Sequence, residues 1–289
     1  MLSPRNMGPN RRMRLSPITL KLSIVMVALL ALVAVFLIPF LWMLSISVHS
    51  ETSLFSGSSW IPKIFYWSNY LAAFHYFPFV QDTINTLIIT VPSVVGTVVS
   101  SAWVAYGLAH LEWRGKQGVF LVVMSHMLIP IWITIIPLYV VFFHMGLINT
   151  FWPLIIPNLF GSAFSIFLFR QFFLRQPKSL LDAARIDGAT EMRIFATVVV
   201  PMSKPAILVV ALLNFVWHWT DFFGPLVYLN APSKYTLMLG LATAFQGKHL
   251  TLWPELMASN VLVIAPVLVL FFMAQRHFME GINLTGVTG

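Results

Sequence analysis

The sequence predicts an all-α membrane protein with six transmembrane helices and both termini on the cytoplasmic side. Three features point there. The 289 residues are 58% hydrophobic and only 9% charged, with a mean hydropathy of +0.85. A water-soluble domain carries about 25% charged residues, so this chain lacks the polar side chains to cover a wet surface, and a lipid bilayer is its natural solvent. Six apolar runs approach the ~20 residues that span a bilayer. Lysine and arginine are confined to the gaps between those runs, and to one side of them.

In order, the chain opens with a basic tail over residues 1–21 holding Arg5, Arg11, Arg12, Arg14 and Lys21. The first apolar run, about 22–46, is longer than the 7–15 residues of a signal-peptide core and has no small-x-small cleavage site, so it reads as a retained anchor. The next runs fall at about 84–109, 118–143 and 152–172, and the last two at about 205–229 and 256–275. The six-helix domain therefore covers 22–275, includes a cytoplasmic segment at 175–204, and is followed by a tail at 276–289. The outer segments 47–83 and 230–255 hold Trp60, Tyr66, Trp67, Tyr70, Tyr76, Tyr235 and Trp253, the composition of an interfacial aromatic belt or a contact surface. Pro92, Pro130, Pro137 and Pro266 interrupt the spans. In IPIWITIIPLY two prolines stand seven apart, about two turns, which predicts two kinks bending one helix to the same side.

Orientation follows from the basic residues. With the N-terminus inside, the cytoplasmic side gathers the tail, Arg114, Lys116, Arg170, Arg175, Lys178, Arg185, Arg193, Lys204 and Arg276, leaving only Lys63, Lys234 and Lys248 outside. The same distribution argues against nucleic acid as a partner, because no basic stripe interleaved with aromatics occurs on a polar element.

Zero cysteines exclude disulfides and thiolate metal sites. The chain contains no phosphate-loop motif, no H-E-x-x-H and no G-x-S-x-G. The one acid expected inside a span is Asp221, about 24 Å from the cytoplasmic end at 1.5 Å per residue. That places it near the outer interface, poorly sited for an ion-coupled secondary transporter.

The scarce carboxylates cluster instead in SLLDAARIDGAT, residues 179–190, with Glu191 following. Ser179 and Asp182 have capping-box spacing. Leu180, Leu181, Ala183, Ala184 and Ile186 give the short helix an apolar side, and Gly188 can stop it in a left-handed conformation. Asp187 and Thr190 are candidate caps for a second helix, through Phe195 to Val200, closed by Pro201. The alanines leave the first helix thin, suited either to a capped surface turn or to a groove on another protein.

DAARIDGATEMRIFATVVVPMSKP resembles the EAA signature of ABC-importer permeases, E-A-A-x-x-D-G-A followed by Phe and a proline pair, with Asp182 in place of Glu. WSNYLAAF, INTLIIT, AWVAYGLAHLEWRGKQGVF, IIPLYVVFFHMGLINT, WTDFFGPLVYL and the tail QRHFMEGINLTGVTG are similar to the carbohydrate-type, maltose-transporter-like permeases, specifically the six-span partner of a two-permease pair. Thr220 stands where Asn is usual, and Thr288 where Lys is usual.

The resemblance implies a type I importer permease in the bacterial cytoplasmic (inner) membrane, with no cofactor of its own. Its implied partners are a second, different permease, an ABC ATPase dimer that binds ATP and Mg, and an extracytoplasmic solute-binding protein. It implies that Ser179, Leu181, Asp182, Ala183, Ala184, Arg185, Asp187, Gly188 and Ala189 form the coupling helix and its bend against the ATPase. A sugar or oligosaccharide is the expected solute. Trp132, Tyr139, Trp217 and Trp219, with Asp221, are candidates for the pathway. An acidic or non-sugar solute, such as a uronate oligosaccharide or a polyol phosphate, is the alternative that the outer lysines suggest.

Overall fold

The computed structural model describes residues 17–55, 60–246 and 252–283, and the only regular elements among them are helices. Helix α1 (Pro17–Ser47) leads through short α2 (Glu51–Phe55) and α3 (Ser68–Tyr76) into α4 (Phe79–Ala109). Then come α5 (Lys116–Ser125), α6 (Ile131–His144), α7 (Trp152–Ile155) and α8 (Ala163–Phe173). The segment 175–204 holds α9 (Lys178–Ile186), α10 (Glu191–Ile194) and α11 (Val200–Met202), and the chain returns along α12 (Lys204–Trp219). Short α13 (Phe223–Tyr228) and α14 (Leu237–Phe245) precede the last helix, α15 (Trp253–Asn283).

Among the described residues, four spans are long and apolar enough to cross a membrane by themselves: Leu22–Ser47, Phe79–Ala109, Trp152–Phe173 and Trp253–Gln275. Two more are bent pairs, Lys116–Leu128 with Ile131–His144 at 96° and Glu191–Met202 with Lys204–Trp219 at 80°. Counting each pair once gives up to six, the predicted number, although Glu191–Met202 falls in the predicted connecting segment 175–204 and Lys204–Trp219 ends ten residues short of the predicted 229. The basic tail to residue 16, Lys248 and Thr288 lie outside the described residues. At the other end α15 carries helical backbone past 275 to Asn283.

Two expectations are corrected by the backbone. The span at 118–143 is not one helix kinked twice. It breaks at Pro130, because the residue before a proline is pushed out of the α region: Ile129 is extended, at φ −85 and ψ 113. Pro137 instead lies inside continuous α6, as Pro92 does in α4 and Pro266 in α15. The span at 205–229 also breaks, at Thr220–Phe222, between α12 and α13.

Helix α4 is the axis of the bundle. Its 31 residues reach about 46 Å, well beyond the ~30 Å hydrocarbon core. It packs against α8, α12 and the 3-10 turn Ile156–Phe160. Small and hydroxylated residues line that side, which lets backbones approach closely in a bilayer. Ser93 donates to the Leu154 carbonyl at 3.4 Å and Thr97 to that of Asn158 at 3.1 Å. A Cβ on Gly96 would run into Leu159. Helix α1 is the opposite case: none of its most apolar window is buried within the chain, and its main described neighbour is α15, while Ser47 at its end bonds Tyr70 of α3. Such a helix is stable only in lipid or against another subunit.

Both ends of α4 are tied down. At its N-terminal end Asn85 Nδ2 donates to the carbonyls of Ser233 (3.0 Å) and Tyr235 (2.9 Å), and the Leu237 N–H donates to Thr86 Oγ1 at 2.8 Å. At its C-terminal end Lys116 Nζ donates to the carbonyls of Ala109 and Leu111 at 3.2 and 2.9 Å. Arg170 Nε donates to that of Leu108 at 3.2 Å. Cations satisfying the last carbonyls of a helix also complement its dipole. Asp82, in the first turn of α4, is fully buried beside Gly240. Asp221 is therefore not the only acid in a span, because α4 starts five residues before the predicted 84.

Candidate functional site

The segment 175–204 forms a helix, a bend and a second helix. Pro177, extended at φ −61 and ψ 116, launches α9 with no side-chain cap. The capping box predicted for Ser179 and Asp182 is therefore absent. Ser179 lies inside the helix, one residue past its start, and Asp182 pairs with Arg185 instead. The helix stops in a Schellman motif: the Ala189 N–H donates to the Ala184 carbonyl and the Gly188 N–H to that of Arg185, both at 3.0 Å. Gly188 holds φ +78, a conformation nearly free of cost for glycine alone. Asp187 ends α9 rather than capping α10, and the cap of α10 is Thr190 Oγ1, which accepts from the Arg193 N–H at 3.4 Å. Beyond α10 the helix widens into π geometry over Phe195–Val199, just ahead of Pro201, which has no N–H to offer. It closes at Met202, one residue past Pro201.

The two faces of α9 differ sharply. Leu181 is 2% exposed and joins Ile194, Tyr106, Phe169 and Phe173 in one buried cluster. Ala184 and Ala189 pack against the same cluster, whereas Ala183 faces out. Of the three large apolar residues on α9, Leu180, Leu181 and Ile186, Leu181 alone is turned into the bundle. Ile186 and Leu180 are exposed by 86% and 48%, and Met192 on α10 by 61%. The basic residues Arg175, Lys178 and Arg193 of the same segment are exposed too.

Arg185 organises the carboxylates. Its Nη1 donates to Asp182 Oδ1 at 2.8 Å and its Nε to Glu191 Oε1 at 2.9 Å. The hydroxyl of Tyr106, on the last turns of α4, donates to Glu191 Oε2. The Arg185 hydrogen bond holds Glu191 below the usual glutamate range, with Tyr106 adding to it and partial burial opposing. Behind them Gln176 Nε2 donates to Ser203 Oγ at 2.8 Å, both buried, closing the base of the segment. Sequence reading missed Tyr106, Gln176 and Ser203. The available signal was a lone phenol in the apolar run AWVAYGLAHL.

The proposed pathway residues separate into two groups. Trp132 (60% exposed) meets Phe223 edge-on at 4.5 Å, and Tyr139 stacks on Tyr228 at 6.1 Å. Together Trp132, Tyr139, Phe223 and Val227 line an open apolar pocket between α6 and α13. Trp217 is exposed on α12. Trp219 is 3% exposed, stacks on Phe215 at 5.3 Å and donates Nε1–H to the Val263 carbonyl at 2.9 Å. It fastens α12 to α15 and is no pathway wall. Asp221, in the break after α12, accepts the Gly224 N–H at 3.1 Å and so starts α13. Its carboxylate serves local backbone.

A multi-pass helical bundle with broken spans, an EAA-like helix–bend–helix at one end and no phosphate loop in its sequence is the transmembrane half of a transporter. The chain belongs to the family described as binding-protein-dependent transport system inner membrane component, which it matches over residues 70–283. It is 35% identical over 207 residues to the arabinooligosaccharides transport system permease protein AraQ of Halalkalibacterium halodurans, covering 71% of this chain and 73% of that one. It is 31% identical to the sn-glycerol-3-phosphate transport system permease protein UgpE of Rhizobium meliloti, over 68% and 70% of the two chains. In three dimensions it is similar to a chain of a bacterial ABC transporter that imports the acidic polysaccharide alginate. The TM-score is 0.79 with 26% identity, over 91% of this chain and 99% of that one. It is thus a multi-pass inner-membrane permease subunit, and its family implies a binding protein and an ATPase as partners.

Proposed function

We propose that this chain is one of two different permeases in an importer for a sugar or oligosaccharide, with both termini in the cytoplasm. ATP and Mg are bound and hydrolysed by a partner ATPase dimer, and an extracytoplasmic binding protein delivers the solute. The coupling helix α9 docks in a cleft of one ATPase and passes its closure to the spans, which rock between inward- and outward-facing states. The observation that carries this is the contrast on one helix between Leu181, 2% exposed, and Ile186, 86% exposed. An isoleucine held out in the open on a helix whose other side is firmly packed is a contact suited to a partner. Trp132, Tyr139 and Trp217 offer flat faces for sugar rings. The named solutes of the relatives, arabinooligosaccharides among them, support the carbohydrate assignment.

The test uses the assembled complex. With Ile186→Asp the permease should insert normally while the ATPase no longer co-purifies; retention of the ATPase at full stoichiometry would reject the docking assignment. For the solute, the co-purifying binding protein is screened by thermal shift, and stabilisation by saccharides is expected. Stabilisation by amino acids or peptides alone would overturn the carbohydrate class. An acidic saccharide is the second reading, favoured by Lys234 in the wall of an outer pocket beside Ile88 and Trp152 and by the alginate importer's likeness. Stabilisation by uronates over neutral sugars would select it.

A further inference from the structure

The coupling segment is pinned at its base and at its bend, and the second pin runs to α4. At the base, Gln176 and Ser203 are 27 positions apart, buried and hydrogen-bonded, so the segment leaves and re-enters the bundle at one point. At the bend, Tyr106 donates to Glu191, Glu191 binds Arg185, and Arg185 binds Asp182. The outer members of this relay are wet, with side-chain exposures of 35% for Arg185 and 61% for Asp182. Ion pairs that exposed hold little on their own. The buried member is Tyr106, 1% exposed, packed between Trp103 and Phe195. A phenylalanine would fill that slot equally well, so the use of the hydroxyl is the bond to Glu191. A hydrogen bond to a carboxylate is among the stronger kinds, and here it fixes the carboxylate that orients Arg185.

We propose that Tyr106 and Glu191 are positioning residues that latch the coupling helix to α4. Displacement of α9 by the ATPase is then delivered to α4 as a unit, and through Asn85 and Thr86 to the outer segment 233–237. This rests on the docking role assigned to α9 above. Without the latch, α9 would rock about its buried Leu181 and the stroke would be absorbed locally.

The test is spectroscopic and uses the whole importer in proteoliposomes. The chain has no cysteine, so a bimane on Val95→Cys, which is 56% exposed on α4, reports the permease's response to Mg-ATP with vanadate. Tyr106→Phe and Glu191→Ala should cut the response by about fivefold or more, the scale of losing one charge-assisted hydrogen bond. ATPase content and thermal midpoint should stay near those of the unmodified complex. Glu191→Gln keeps an acceptor for Tyr106 and should recover much of the response. A full response in both Tyr106→Phe and Glu191→Ala overturns the latch, and so does loss of the ATPases from the Tyr106→Phe complex, which would make the relay part of docking. Failure of the ATPases to co-purify with the unmodified chain would instead reject the docking reading itself.

Discussion

The bend at 187–190 and the break at 220–222 are built alike and finished differently. Each interrupts helix with an aspartate and a glycine close by: Asp187 with Gly188, and Asp221 with Gly224. At the break the glycine is needed for space, because a Cβ on Gly224 would meet Asp221 and Leu154. At the bend it is needed for dihedral angle, since Gly188 has open space around it but holds φ +78. The break at 220–222 leaves its aspartate half-buried and settles the backbone with that carboxylate. The bend at 187–190 keeps its outer face bare and is tied inward by Leu181 and Glu191. One is a joint within the bundle, and the other is a joint offered to something outside it.

The comparison breaks most severely at Gly188. Gly188→Pro forces φ to about −65° and removes an N–H that the Schellman motif uses, a cost of about 3 kcal/mol or more. Binding-protein-stimulated ATP hydrolysis and uptake should both be lost while membrane insertion persists. Next comes the pair on α9. Leu181→Ala should destabilise the permease by about 2–5 kcal/mol, seen as a lower midpoint in thermal unfolding. Ile186→Ala should shift stability by no more than about 0.5 kcal/mol yet weaken ATPase retention on an affinity column. Asp221→Ala tests the other joint. Losing the cap should cost about 1 kcal/mol, with ATPase retention unchanged in the same assay.

The smallest effect is a pH dependence. Glu191 is held below the ordinary glutamate range by Arg185, so its contribution is present above the unfolded-state value and fades as pH falls through the folded one. Protection of the 185–194 backbone in hydrogen exchange, after correction for intrinsic rates, should therefore drop on acidification below about pH 4.5. In Glu191→Gln that drop should be largely flattened.

The architecture was legible because a bilayer leaves few choices: apolar length marks spans, and helices are the only elements this composition supports. The six spans and the bend at Gly188 follow from local chemistry alone. What local pattern could not show was where helices break under tertiary packing. Pro130 and Pro137 have the same letter in one apolar run, yet only Pro130 stands at the break. Nor could spacing reveal that Ser179 lies one residue past a start set by Pro177. The relay from Tyr106 to Glu191 spans 85 positions, beyond any periodicity. Trp219 and Trp217, two residues apart, face opposite environments, which a helical wheel predicts only once its buried side is known.

The central claim is that α9 presents Ile186 to the ATPase while Leu181 belongs to the permease. Because the chain contains no cysteine, Ile186→Cys and Leu181→Cys each introduce its single thiol. A short thiol-to-amine cross-linker applied to the assembled importer should join Ile186→Cys to the ATPase subunit and leave Leu181→Cys unlinked. Equal linkage at both positions, or linkage at neither, would contradict the account.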